Sequence, residues 1–113
     1  MTKKEVRFKV LLALAMRAKG LRVSCVGLGI SKEEVTDIIL SIYSRVNMFK
    51  TPKQKELAQI SWAMGEITDA NLFVNSDQEG QTKEKFFDQL RGYDMVLVMT
   101  KADLEPFRKH MEL

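Results

Sequence analysis

The chain has 113 residues, 45% of them apolar and 29% charged, with one cysteine and a net charge of +3. That is one domain by size, with the composition of an ordinary soluble protein. No apolar run approaches the roughly 18 residues that span a bilayer. The segment "RAKGLR" that follows the longest run, Val10 to Met16, offers no small-residue cleavage site. A lone cysteine excludes an internal disulfide and suits a reducing, cytoplasmic setting. The charge is unevenly placed: residues 1–60 hold 12 Lys/Arg against 5 Asp/Glu, a balance of +7, and residues 61–113 hold 6 against 10, a balance of −4.

Thr2-Lys3-Lys4-Glu5 fits a capping box, in which a hydroxyl accepts from a free backbone N–H and a Glu three residues on reaches back. It opens a helix predicted over 3–19, stopped by Gly20. "LRVSCVGL" (Leu21 to Leu28) is short and valine-rich, as strands are. Ser31 to Glu34 repeats the capping box and opens a helix over 32–48. Its stripe is Val35, Ile38, Ile39, Ile42, Val46 and Phe49, and Leu40 and Tyr43 widen it past one face. Thr51-Pro52 opens a third helix over 52–70, with Leu57, Ile60, Met64 and Ile67 on a stripe, Trp62 beside it and Gly65 within it. A polar loop from Asn75 to Gln81 precedes Thr82, which caps a helix over 83–91. "MVLVM" (Met95 to Met99) again reads as a strand or a buried turn of helix. The last helix starts near Asp103, because Pro106 belongs in a first turn. The expected fold is mainly α: about five helices in one compact domain, with room for one small two-stranded β pair made from 21–28 and 95–99.

Two motifs resemble known families. Gly29 has Cys25 four residues before it, Leu28 and Ile30 beside it, and Val35 and Ile38 six and nine after it. In this respect residues 21–40 resemble a helix-turn-helix regulator. The resemblance implies DNA reading by the second helix in the major groove. The competing explanation is a capped core helix entered by a glycine turn: "LRVSCVGL" is a weak helix former, and Glu33, Glu34 and Asp37 would repel phosphate. Met95 to Leu104 resembles the guanine-specificity motif of GTPases in the spacing of Thr100, Lys101 and Asp103. The chain has no GxxxxGK[ST] to cradle phosphates, so the expectation is a capped helix and no nucleotide.

One histidine and one cysteine make no zinc site of the usual ligand types. His110 suits the last turn of a helix, where a cation is favoured. No set of residues signals catalysis, and no metal or cofactor is expected. The basic start carries the functional expectation. Lys3 and Lys4, with Arg7 close behind, crowd the positive end of a helix, where cations are disfavoured by about 0.3–1 kcal/mol each. The chain therefore reads as a small cytoplasmic nucleic-acid-binding protein, a transcriptional or plasmid/phage-type regulator acting as a homodimer. Lys3, Lys4, Arg7, Lys9, Arg17, Lys19 and Arg22 would meet phosphates, and Lys32 and Thr36 would lie toward bases. Leu40 and Tyr43 would form the dimer or partner interface. The alternative is a protein-binding helical module with neither nucleic acid nor catalysis.

Overall fold

The computed structural model describes residues 3–108. Its centre is β1 (Val23–Gly27), every residue of which is buried. Two strands flank it, β2 (Phe73–Ser76) and β3 (Met95–Met99), both parallel to it, in the order β2-β1-β3. Five helices alternate with them: α1 (Lys3–Ala18), α2 (Lys32–Ser44), α3 (Leu57–Ala70), α4 (Lys83–Leu90) and α5 (Lys101–Arg108). The domain is Rossmann-like α/β, which corrects the expectation of a mainly α fold. The two valine-rich segments are neighbours, but in a three-stranded parallel sheet and not in a two-stranded pair. A central strand buried on both faces reads as a continuous apolar run rather than an alternating one.

The strand missing from the sequence reading is β2. Its last two residues, Asn75 and Ser76, resemble the polar loop that follows. In the fold their side chains are satisfied by other elements: Asn75 Nδ2 donates to Ser24 Oγ (2.7 Å) and to the Tyr93 hydroxyl (3.1 Å), and Ser76 Oγ donates to the Ile30 carbonyl (2.6 Å). Buried polar groups with partners cost little, so the strand needs no apolar signature there.

Register sets the faces. Cys25 lies between Val74 and Leu97, and this row packs on the core built from Val6, Val10, Val35, Ile38 and Leu104. Burial pushes the Cys25 thiol up to about 12. It is a packing residue, with none of the thiolate character that reactive cysteines need. No helix among the described residues is long and apolar enough to cross a membrane.

The helix boundaries follow local chemistry. The Ser31–Glu34 capping box forms as expected, with Glu34 N–H to Ser31 Oγ at 3.1 Å and Ser31 N–H to Glu34 Oε1 at 3.0 Å. Thr82 Oγ1 caps α4 by accepting from Lys85 N–H (3.2 Å). Thr2 and His110 lie outside the described residues. The second helix stops at Ser44, four residues short of its expected end. Ser44 Oγ turns back to the Leu40 carbonyl (2.6 Å), and Arg45 takes the left-handed conformation at φ 62°. The third helix starts late, after a 3₁₀ turn at Gln54–Glu56. Pro106 lies inside α5 rather than in its first turn.

Two glycines make opposite predictions. A Cβ on Gly27 would stand 2.7 Å from Val35 Cγ2 and 2.8 Å from the Ile30 carbonyl oxygen, so strand and helix would have to part. Gly27→Ala is expected to destabilise the fold by about 2–3 kcal/mol through overpacking. A Cβ on Gly65 would meet nothing within 4 Å, so Gly65→Ala is expected to stabilise α3 by up to about 1 kcal/mol. Urea denaturation of both variants checks the pair; equal effects would contradict the close approach at Gly27.

Candidate functional site

The helix α1 buries Val6, Val10 and Ala13, spaced so that one side faces the core. That orientation leaves Lys3, Lys4 and Arg7 exposed beside the C-terminal end of α2. Arg45 comes to the same place because the helix ends at Ser44 and the chain turns. The four cations line one cleft of about 410 Å³, with Ser41 and Phe107 completing its wall. Lys3 Nζ stands 5.6 Å from the centroid of the Phe107 ring. Asn47 Nδ2 donates to the Phe107 carbonyl (3.1 Å) and ties the far wall to the end of α2. The three ion pairs among the described residues are Lys9–Asp103, Arg91–Asp88 and Arg108–Glu34. None involves the four cations of the cleft.

A second cleft of about 410 Å³ shares Arg7, Ile42 and Arg45 with the first. Here the walls are Leu11 and Trp62. The indole of Trp62 stacks on Tyr43, with ring centroids 5.2 Å apart and planes 18° from parallel. Trp62 remains 57% exposed.

The other expected phosphate contacts do not join this site. Lys9 reaches inward: its Nζ donates to both carboxylate oxygens of Asp103 (3.0 and 3.2 Å) and to the Val98 carbonyl (3.2 Å). Arg17 donates to the carbonyls of Asn71 (3.2 Å) and Leu21 (3.3 Å), holding the chain that enters β1 and β2. Arg22 lies over the rings of Phe73 (5.4 Å) and Tyr93 (5.5 Å). Lys19 is exposed just past the end of α1. Lys32 and Thr36 sit on the first turns of α2, where the Thr36 hydroxyl donates to the Lys32 carbonyl (2.9 Å). Leu40 is buried within its own chain, and Tyr43 is half-buried against Trp62.

The helix-turn-helix expectation is overturned by the fold. The segment that would be its first helix, residues 21–28, contains the central strand β1. Gly29 does turn the chain, at φ 75°, but from a strand into a helix. The start of α2 is also occupied by the chain's own acids. Gly29 N–H donates to Asp77 Oδ1 (2.9 Å), and Glu34 closes the capping box while pairing with Arg108 at 2.7 Å. The Gln78 side chain, then the Gly29 N–H, hold the Asp77 carboxyl below its usual range. Partial burial, then the charges of Glu33 and Glu34, push Asp37 up. Nothing about this helix end invites a phosphate. Asp103, the aspartate of the guanine-like motif, is fully buried and accepts from Thr100 N–H (2.8 Å) as the third residue of a capped helix, so it is not available to a base.

Sequence reasoning missed Arg45 and Trp62. Arg45 falls inside the helix expected to run to 48, and Trp62 stands beside the expected apolar stripe of the third helix, so residue spacing singles out neither. No family model, curated protein or solved structure matched the chain.

Proposed function

We propose that the chain is a nucleic-acid-binding protein that holds the phosphate backbone in the cleft of Lys3, Lys4, Arg7 and Arg45. The observation that carries this reading is the convergence of four cations on one cleft, none of them in an ion pair among the described residues. Such a cluster repels itself and is relieved by a polyanion, whose condensed counterions are released on binding. Two of its members also oppose local stability: Lys3 and Lys4 stand in the first turn of α1, at the positive end of its dipole. Arg45 holds a left-handed φ that few residues other than glycine and asparagine adopt. The role is binding and not catalysis, in a cytoplasmic setting that suits the buried free thiol of Cys25. It does not rest on a homodimer, since Leu40 lies in the core.

A second reading is favoured by α3, whose Leu57 and Met64 are 53% and 52% exposed. Apolar residues left in solvent on one helix fit a protein partner. Anisotropy titration of a labelled oligonucleotide at low salt separates the two. The first reading expects saturable binding with a micromolar or tighter dissociation constant. Absence of binding at low salt transfers the function to the protein-partner reading.

A further inference from the structure

We propose that the ligand is single-stranded nucleic acid, with one base laid on Trp62 while its neighbouring phosphates lie against Arg7 and Arg45. This rests on the phosphate-binding reading above and narrows it. Arg7 and Arg45 line both clefts, so a chain held by its phosphates at Lys3 and Lys4 passes directly onto the wall formed by Trp62. One face of the indole rests on Tyr43. Trp62 is 57% exposed and lines the second cleft, which leaves ring surface for a planar group. The second cleft, at about 410 Å³, falls within the range of small-ligand pockets. Among the described residues no carboxylate lines either cleft.

The track also has an end. Beyond Tyr43 the next hollow is lined by Glu66 and Asp69 with Arg17. Two carboxylates there oppose a continuing phosphate backbone, so the site holds a few nucleotides. An alternation of cations with an exposed aromatic ring is how sequence-tolerant single-strand binders work, because every base has a π-face to stack. A duplex keeps those faces inside its own stack, and unstacking costs a few kcal/mol per base in general. The exposed apolar residues of α3 that fit a protein partner, Leu57 and Met64, line neither cleft.

The chain's one tryptophan makes the test direct, since all indole fluorescence comes from Trp62. The probes are oligothymidylate and oligouridylate of about 12 nucleotides, a duplex of the same length, and inorganic polyphosphate. Expected are tighter binding of both single strands than of the duplex, and quenching of the indole by single strands but not by polyphosphate. Trp62→Leu should weaken single-strand binding by about tenfold or more while leaving polyphosphate binding unchanged, and Trp62→Phe should restore most of the loss. Circular dichroism of each variant confirms folding; if Trp62→Leu does not fold, the quenching of the wild type and its duplex-to-single-strand ratio decide. Equal binding of duplex and single strand with an unquenched indole overturns this inference and leaves the phosphate-binding reading standing. Failure of every probe to bind at low salt overturns the reading beneath it. Comparison of the thymidylate and uridylate arms tells DNA from RNA as the preferred source.

Discussion

Lys9→Met is expected to destabilise the fold by about 3 kcal/mol, measured by urea denaturation. Asp103 has no exposed surface. Its carboxylate is held by Lys9 Nζ at 3.0 and 3.2 Å and by Thr100 N–H at 2.8 Å. The lysine comes from the middle of α1 and the aspartate from the first turn of α5, so the pair fastens two helices distant in sequence. Removing the cation leaves a buried negative charge with only backbone and hydroxyl donors. Breaking a fully buried pair on one side generally costs about 3–5 kcal/mol; the lower end applies here because the Lys9 side chain is 26% exposed. The double variant Lys9→Met, Asp103→Asn is expected to recover much of the loss, because it removes both charges and leaves an amide oxygen to accept from Thr100. A Lys9→Met variant within about 0.5 kcal/mol of wild type, the range of ordinary surface changes, would contradict the assignment of this lysine to the core.

Neutralising the cleft is expected to have the second large effect, on binding and not on stability. The variants are Lys4→Gln, Arg7→Gln and Arg45→Asn; asparagine is chosen at 45 because it tolerates the left-handed φ. With up to about 1 kcal/mol for each exposed charge contact, the triple variant should bind a single strand roughly 100-fold more weakly at low salt. Its stability should not fall. Lys4 opposes the dipole of α1, so its loss alone is worth about +0.3–1 kcal/mol. Weaker binding at undiminished stability marks residues kept for a ligand. Unchanged binding in the folded triple variant would remove the cleft from the function.

The starts of α2 and α4 were legible in the sequence because they carry capping chemistry that acts locally, whereas Thr51 opens no helix and α3 begins only at Leu57, after a 3₁₀ turn. Ser31 with Glu34, and Thr82, cap as their spacing says. The sheet was not, because its evidence is spread over three distant segments. β1 and β3 look like strands, but β2 carries Asn75 and Ser76, whose partners Ser24, Tyr93 and Ile30 lie far along the chain. Without β2 the alternation of strand and helix that marks an α/β fold is invisible. The same distance effect governs the site. Local charge density singles out Lys3, Lys4 and Arg7 together with Lys9, Arg17, Arg22 and Lys19, the last exposed just past the end of α1. Only tertiary contacts separate them, sending Lys9 to Asp103, Arg17 to two carbonyls and Arg22 onto two rings. Arg45 joins the site through a helix stop set by the Ser44 hydroxyl and a positive φ, neither of which shows in residue spacing.

The salt dependence of single-strand binding tests the central claim most directly. Four phosphate contacts, made by Lys3, Lys4, Arg7 and Arg45, predict a slope of log K against log salt near −2.8, at about −0.7 per contact for single strands. Between roughly 50 and 200 mM salt that is a loss of about 50-fold. The triple variant keeps Lys3 alone and should show a slope near −0.7. Neutralising Arg17 and Arg22, which are engaged elsewhere in the fold, should leave the slope where it was. A wild-type slope near zero, or a slope that moves with Arg17 and Arg22 and not with Lys4, Arg7 and Arg45, would contradict the account.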